Sequence, residues 1–110
     1  MKIITPQNEN LTPAVFYILL ALSRENLHGY GIMKQVAADS NHSVKMGPGT
    51  LYGSINRMLK NQLIEEAGQQ ERRQYYKITS FGKKMLSAEL KRYQSAIKVG
   101  RKLNLLTFYT

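Results

Sequence analysis

From Thr79 onward, Leu86, Leu90, Tyr93, Ile97 and Gly100 recur at alternating intervals of four and three residues, the seam of a helix that packs lengthwise on another helix. Thr79 can cap the start. A helix from about Ser80 past Lys102 spans on the order of 30 Å at about 1.5 Å per residue. Apolar stripes of this kind also serve as intramolecular core, but the short helices that precede this one cannot cover its length. Its far half is therefore expected to meet a second copy of the chain, with Leu86, Leu90, Tyr93, Ile97 and Gly100 forming the dimer interface. Lys91, Arg92, Lys98, Arg101 and Lys102 give this half a basic outer face, with no acid after Glu89. The end, with Leu105, Leu106, Phe108 and Tyr109, carries too much apolar surface for a freely solvated tail, whether it is helix or a strap over the partner.

The rest of the chain must supply a small body. Residues 1–10, polar and without periodicity, read as a flexible arm unless something docks it. Thr12 and Pro13 then open a helix to about Arg24, with Leu11, Val15, Ile18, Leu19 and Leu22 at helical spacing. Phe16 and Tyr17 widen its apolar surface beyond one core-facing stripe. After the short connection 26–30, Ile32, Met33, Val36 and Ala37 mark a second helix to about Asp39 or Ser40. A third opens at Gly47-Pro48-Gly49, with Leu51, Ile55, Met58 and Leu59 inward and a polar outer face. Leu63–Glu66 and Tyr75–Ile78 flank a polar stretch, Gly68–Arg73, and read as a β-hairpin with a short basic loop. Tyr75 and Tyr76 point to opposite sides of their strand.

The expected fold class is thus mainly α with a small β-hairpin: a winged helix-turn-helix followed by a long C-terminal dimerisation helix. The segments are a flexible arm at 1–10, the winged unit at 11–79 and the dimerisation helix with its tail at 80–110.

Charge narrows the partner class. Sixteen Lys and Arg against seven Asp and Glu give +9 over 110 residues, a surface that attracts polyanions. There is no cysteine, and His28 and His42 alone cannot build a metal site, so neither metal nor cofactor is implied. The seven acids are scattered, and none pairs with a His or Ser at catalytic spacing, which argues against an enzyme. No apolar run is long enough to span a membrane, and the first ten residues lack a secretory pattern; a cytoplasmic location is expected.

In a winged helix-turn-helix the second helix of the motif enters the major groove of DNA. Gly47, Pro48 and Gly49 put free backbone N–H groups and little side-chain bulk at that helix's start, where a phosphate can approach. Thr50, Tyr52, Ser54, Asn56 and Arg57 are read as projecting from its outer and end regions, with Lys45 and Lys60 bracketing it. Arg72 and Arg73 at the hairpin tip have reach for the DNA backbone, although basic tips are also commonly solvated surface. A winged-helix module for protein interaction, with only non-specific DNA affinity, is the competing reading. His28 reads as a helix-entry residue satisfied by nearby backbone.

Leu27-His28-Gly29-Tyr30-Gly31-Ile32, then Gly47-Pro48-Gly49-Thr50-Leu51-Tyr52, Leu63-Ile64-Glu65, and Tyr75-Tyr76-Lys77-Ile78-Thr79 with Gly82 resemble the PadR family of transcriptional regulators. The resemblance runs from about Leu11 to Tyr93, and the chain's shortness is similar to the small branch of that family. It implies a homodimer on a palindromic operator in double-stranded DNA, acting as a repressor. It also implies that Gly49, Thr50 and Tyr52 face DNA with Lys45 just before them, that Arg73 and Lys77 belong to the wing, and that His28–Ile32 is mostly architectural. Ser80-Phe81 departs from the Pro-Glu of many members, so acidic help at the last helix's start is missing. Some small members resemble drug sensors that hold flat aromatic molecules where last and first helices meet. Phe16, Tyr93 and Ile97 are then the candidate pocket for a small aromatic effector, unless Tyr93 and Ile97 merely pack the dimer.

Overall fold

The computed structural model describes residues 4–5 and 10–107; most of the expected arm, together with Phe108 and Tyr109, lies outside them. Helix α1 spans Pro13–Leu22, with Thr12 as N-cap accepting from the Val15 N–H at 3.2 Å. It ends two residues earlier than its periodicity suggests, where the Ser23 hydroxyl donates back to the Leu19 carbonyl. Strand β1 is Leu27–His28, α2 is Gly29–Asp39, α3 is Pro48–Lys60, β2 is Ile64–Gln70, β3 is Arg73–Ile78 and α4 is Ser80–Lys102. The expected fold class is the observed one, with one strand more than the hairpin.

Ile18, Leu19, Ile32, Val36, Leu51, Ile55, Met58, Ile64 and Met85 are fully buried, so one core joins all four helices to the sheet. Tyr76 completes it from β3, and burial pushes its phenol above the ordinary range, with Tyr52 and Glu66 adding to the effect. Ser54, expected on the outer face of α3, is instead buried. It falls between Leu51 and Met58 on the inward stripe, where its small side chain suits close packing.

The sheet is antiparallel in the order β1-β3-β2. Leu27 and His28 pair with Tyr76 and Tyr75, so the tight connection between α1 and α2 is itself an edge strand. A two-residue strand has no periodicity to read; it exists because β3 offers partners. The hairpin is longer than expected. Gln70 pairs with Arg73, leaving only Glu71 and Arg72 in the turn, both at positive φ (51° and 67°), the backbone of a type I′ turn made without the usual Asn or Gly. Ala67 and Gly68 form a bulge opposite Tyr75, and Gly68 takes φ 99°.

Helix α4 starts at a firm cap despite its missing acid: Thr79 Oγ1 accepts from the Gly82 N–H at 2.9 Å and donates to the Gln62 carbonyl. Its buried residues, Gly82, Met85, Leu86 and Glu89, all lie in the first half. Beyond Glu89 none of its side chains is buried. At its far end Asn104 turns left-handed (φ 61°), and Leu105 and Asn104 donate to the carbonyls of Gly100 and Arg101, a Schellman cap that folds Leu106 back over Gly100.

Candidate nucleic-acid interface

Gly47 caps α3 by backbone alone, and Pro48 takes the first helical position. A side chain built at Gly47 or Gly49 would meet nothing within 4 Å, so these glycines are not needed to pack the fold. They leave a bare helix end where the first N–H groups lack helical partners. Thr50, Tyr52, Asn56, Arg57 and Lys60 are exposed along the helix, and Lys45 precedes it. Arg57 lies along the helix, its Nη2 3.4 Å from Ser54 Oγ. Tyr52 is exposed, yet its ring tip closes onto Gly29 at the start of α2.

On the wing, Arg72 is exposed in the turn. Arg73, Tyr75 and Lys77 share the strand face opposite Tyr76. Lys77 is not an isolated cation: it stands 3.3 Å from Glu65, its cross-strand partner. Arg73 Nη1 lies 2.9 Å from His28 Nε2, and Tyr75 meets the same imidazole edge-on at 5.1 Å. Residues 28 and 29 therefore touch both halves of the surface, Gly29 the α3 phenol and His28 the wing guanidinium. On α2, Tyr30 and Lys34 are exposed, with the Lys34 ammonium 5.5 Å from the Tyr30 ring. Nothing in the motifs marks this pair; its four-residue spacing on the outer helix face is the signal the sequence offers.

A second feature lies between α1 and the projecting half of α4. Phe16 and Tyr93 rings stand 5.0 Å apart, and Tyr17 meets Phe16 edge-on. With Leu20, Leu90 and Ile97 they line an open groove of about 1080 Å³, edged by Lys98 and Arg101. Glu89 sits beneath it, almost wholly buried, accepting from the Leu11 N–H at 2.8 Å and from Arg92 at 2.7 Å. Burial and this carboxylate push the Tyr93 phenol up. Phe16, Tyr93 and Ile97 thus lie together. Along the seam, Leu90, Tyr93 and Ile97 are 40–46% exposed, whereas Leu86 is buried in the chain's own core and Gly100 receives Leu106. The surface open to another chain begins at Leu90, since Leu86 still faces the body.

Among the described residues no three His, Cys, Asp or Glu stand together as metal ligands, and no helix is long and apolar enough to cross a membrane.

A family model described as the transcriptional regulator PadR-like family matches residues 18–88. A PadR family transcription regulator from Clostridium difficile is 27% identical, with a TM-score of 0.71 over 84% of this chain and 98% of that one. A transcriptional regulator from Clostridium thermocellum is 29% identical, with a TM-score of 0.68 over 81% and 87%. An uncharacterized 37.1 kDa protein in a Streptomyces fradiae transposon is 33% identical over 76 residues, 69% of this chain. The match spans about a fifth (21%) of that relative's length.

Proposed function

The chain belongs to the PadR-like family of transcriptional regulators, and from this premise we propose that it binds a palindromic DNA operator as a homodimer and represses transcription. The observation that carries the reading is the bare start of α3, with two glycines facing open space ahead of exposed Thr50, Tyr52, Asn56 and Arg57, in a chain of net charge +9. In this reading Gly49 lets a phosphate reach the helix N-terminus, where the dipole and free N–H groups favour an anion. Thr50, Tyr52, Asn56 and Arg57 meet base edges and backbone in the major groove, while Lys45, Arg72, Arg73 and Lys77 hold phosphates beside it.

Dimerisation rests on the exposed seam from Leu90 to Ile97. A second α4 laid along it would bury these side chains and bring two recognition helices to one duplex. The aromatic groove lies beside the same seam, and a flat aromatic effector stacked among Phe16, Tyr93 and Ile97 would bear on how the two subunits are held. Released DNA binding is the response this placement favours.

Selection from a randomised duplex pool at physiological salt tests the reading. Enrichment of an inverted repeat with half-sites about one helical turn apart is expected, with affinity falling steeply as salt rises. Thr50→Ala is expected to cost specific binding about 1–3 kcal/mol. Salt-sensitive binding without any enriched sequence would favour a protein-interaction module instead.

A further inference from the structure

We propose that His28 and Arg73 together clamp one phosphate oxygen of the DNA backbone, which makes His28 part of the interface and not only an architectural residue. The inference rests on the regulatory reading above and adds to it a contact that its recognition helix does not supply. His28 Nδ1 accepts from the Gly31 N–H at 3.2 Å and so caps α2. A neutral imidazole has one N–H and one acceptor nitrogen, so this cap puts the proton on Nε2. Nε2 stands 2.9 Å from Arg73 Nη1, and the guanidinium has only donors to offer. In the other tautomer Arg73 gains an acceptor, and the Gly31 N–H loses its own. One imidazole cannot serve both.

An anionic oxygen beside the pair removes the conflict: once Arg73 turns its N–H off the ring nitrogen, Nε2–H and the guanidinium can both donate to that oxygen, the latter in a charge-assisted hydrogen bond. Tyr75 holds the ring edge-on from the sheet, so Nε2 is presented rather than free to turn away. Placement agrees: His28 lies between the wing arginine and Gly29, on which Tyr52 of α3 packs. A phosphate contacted here is one flanking the groove that α3 enters.

His28→Asn is the test, because asparagine is among the best N-caps and keeps the Gly31 contact while removing the ring donor. On the selected duplex, an unchanged melting temperature and an affinity about tenfold weaker are expected, with the salt slope kept, because a neutral donor is lost while the cation Arg73 remains on the phosphate. Arg73→Gln should weaken binding to a similar degree and also lower the salt slope by about 0.9 per subunit, and the double variant should lose little more affinity than either alone. Wild-type affinity in His28→Asn overturns the clamp and leaves the regulatory reading standing. A wild-type chain with no salt-dependent duplex binding removes both. Ring-nitrogen NMR of the wild-type protein separates the sources of phosphate: duplex should shift the His28 signals, and inorganic phosphate alone should not. Signals that move with inorganic phosphate and not with duplex overturn the assignment to DNA.

Discussion

The Tyr52 phenol of α3 closes directly onto Gly29 of α2, leaving no room there for a Cβ. Helices α2 and α3 are thus locked together by one aromatic ring on one glycine. The same ring is also exposed to solvent, so it both positions α3 and is available for contact.

Gly29→Ala should therefore weaken DNA binding and lower stability together. The new methyl meets the Tyr52 ring and stands 3.3 Å from Leu51 Cδ2, overpacking expected to cost about 1–3 kcal/mol. Most of that cost is expected to vanish in a Tyr52→Ala background, because the ring that must move is gone. A double-mutant cycle by chemical denaturation measures the coupling.

Gly49→Ala should separate the two effects. Its Cβ enters open space, and alanine is the better helix former, so stability should stay level or rise by up to about 1 kcal/mol. Duplex affinity should fall about tenfold if a phosphate sits against the helix start. Equal affinity would move the phosphate contact away from Gly49.

Gly82→Ala should act on the fold alone. Here the Cβ would press on the Leu63 carbonyl and on Ile78 Cγ1, and backbone cannot swing aside as a phenol can. A loss of about 3 kcal/mol in thermal or urea unfolding is expected, at the upper end of overpacking costs.

Leu90→Lys combined with Ile97→Lys should leave the melting transition of the body in place while halving the mass seen by sedimentation. Both side chains are more than two-fifths exposed and touch the seam rather than the core. An unchanged mass would place the dimer contact elsewhere.

Asp39 gives a pH dependence of known sign. Arg24 grips its carboxylate through two hydrogen bonds of 2.6 and 2.7 Å, and Gln35 adds a third, which holds its pKa below the usual carboxylate value. A lowered native pKa contributes stability above the unfolded value, about 3.9, that is lost as pH falls through the native one. Melting temperatures followed downward from about pH 5 should fall less steeply in Asp39→Asn than in the wild type.

Much of this was legible along the chain. Thr12 and Thr79 announced their helices because a cap acts within three residues, and the inward stripe of α3 showed because helical spacing is local. The seam showed for the same reason. Ser54 did not, since a hydroxyl reads as polar until its neighbours on the helix face prove buried. Nor did the turn at Glu71 and Arg72, whose left-handed backbone is imposed by the pairing of Gln70 with Arg73 and not by turn-forming residues.

Residue order alone therefore settled the types of the four helices and the hairpin, the basic character and the family motifs, all properties of short windows or of summed charge. Strand β1, the Lys77–Glu65 pair, the fate of Leu86 and the meeting of His28 with Arg73 across 45 positions came from the folded chain. Each depends on which distant backbone happens to lie alongside. Pairing partners, unlike periodicity, are not encoded within a window, and a side chain's protonation and hydrogen bonds follow from the partner it finds.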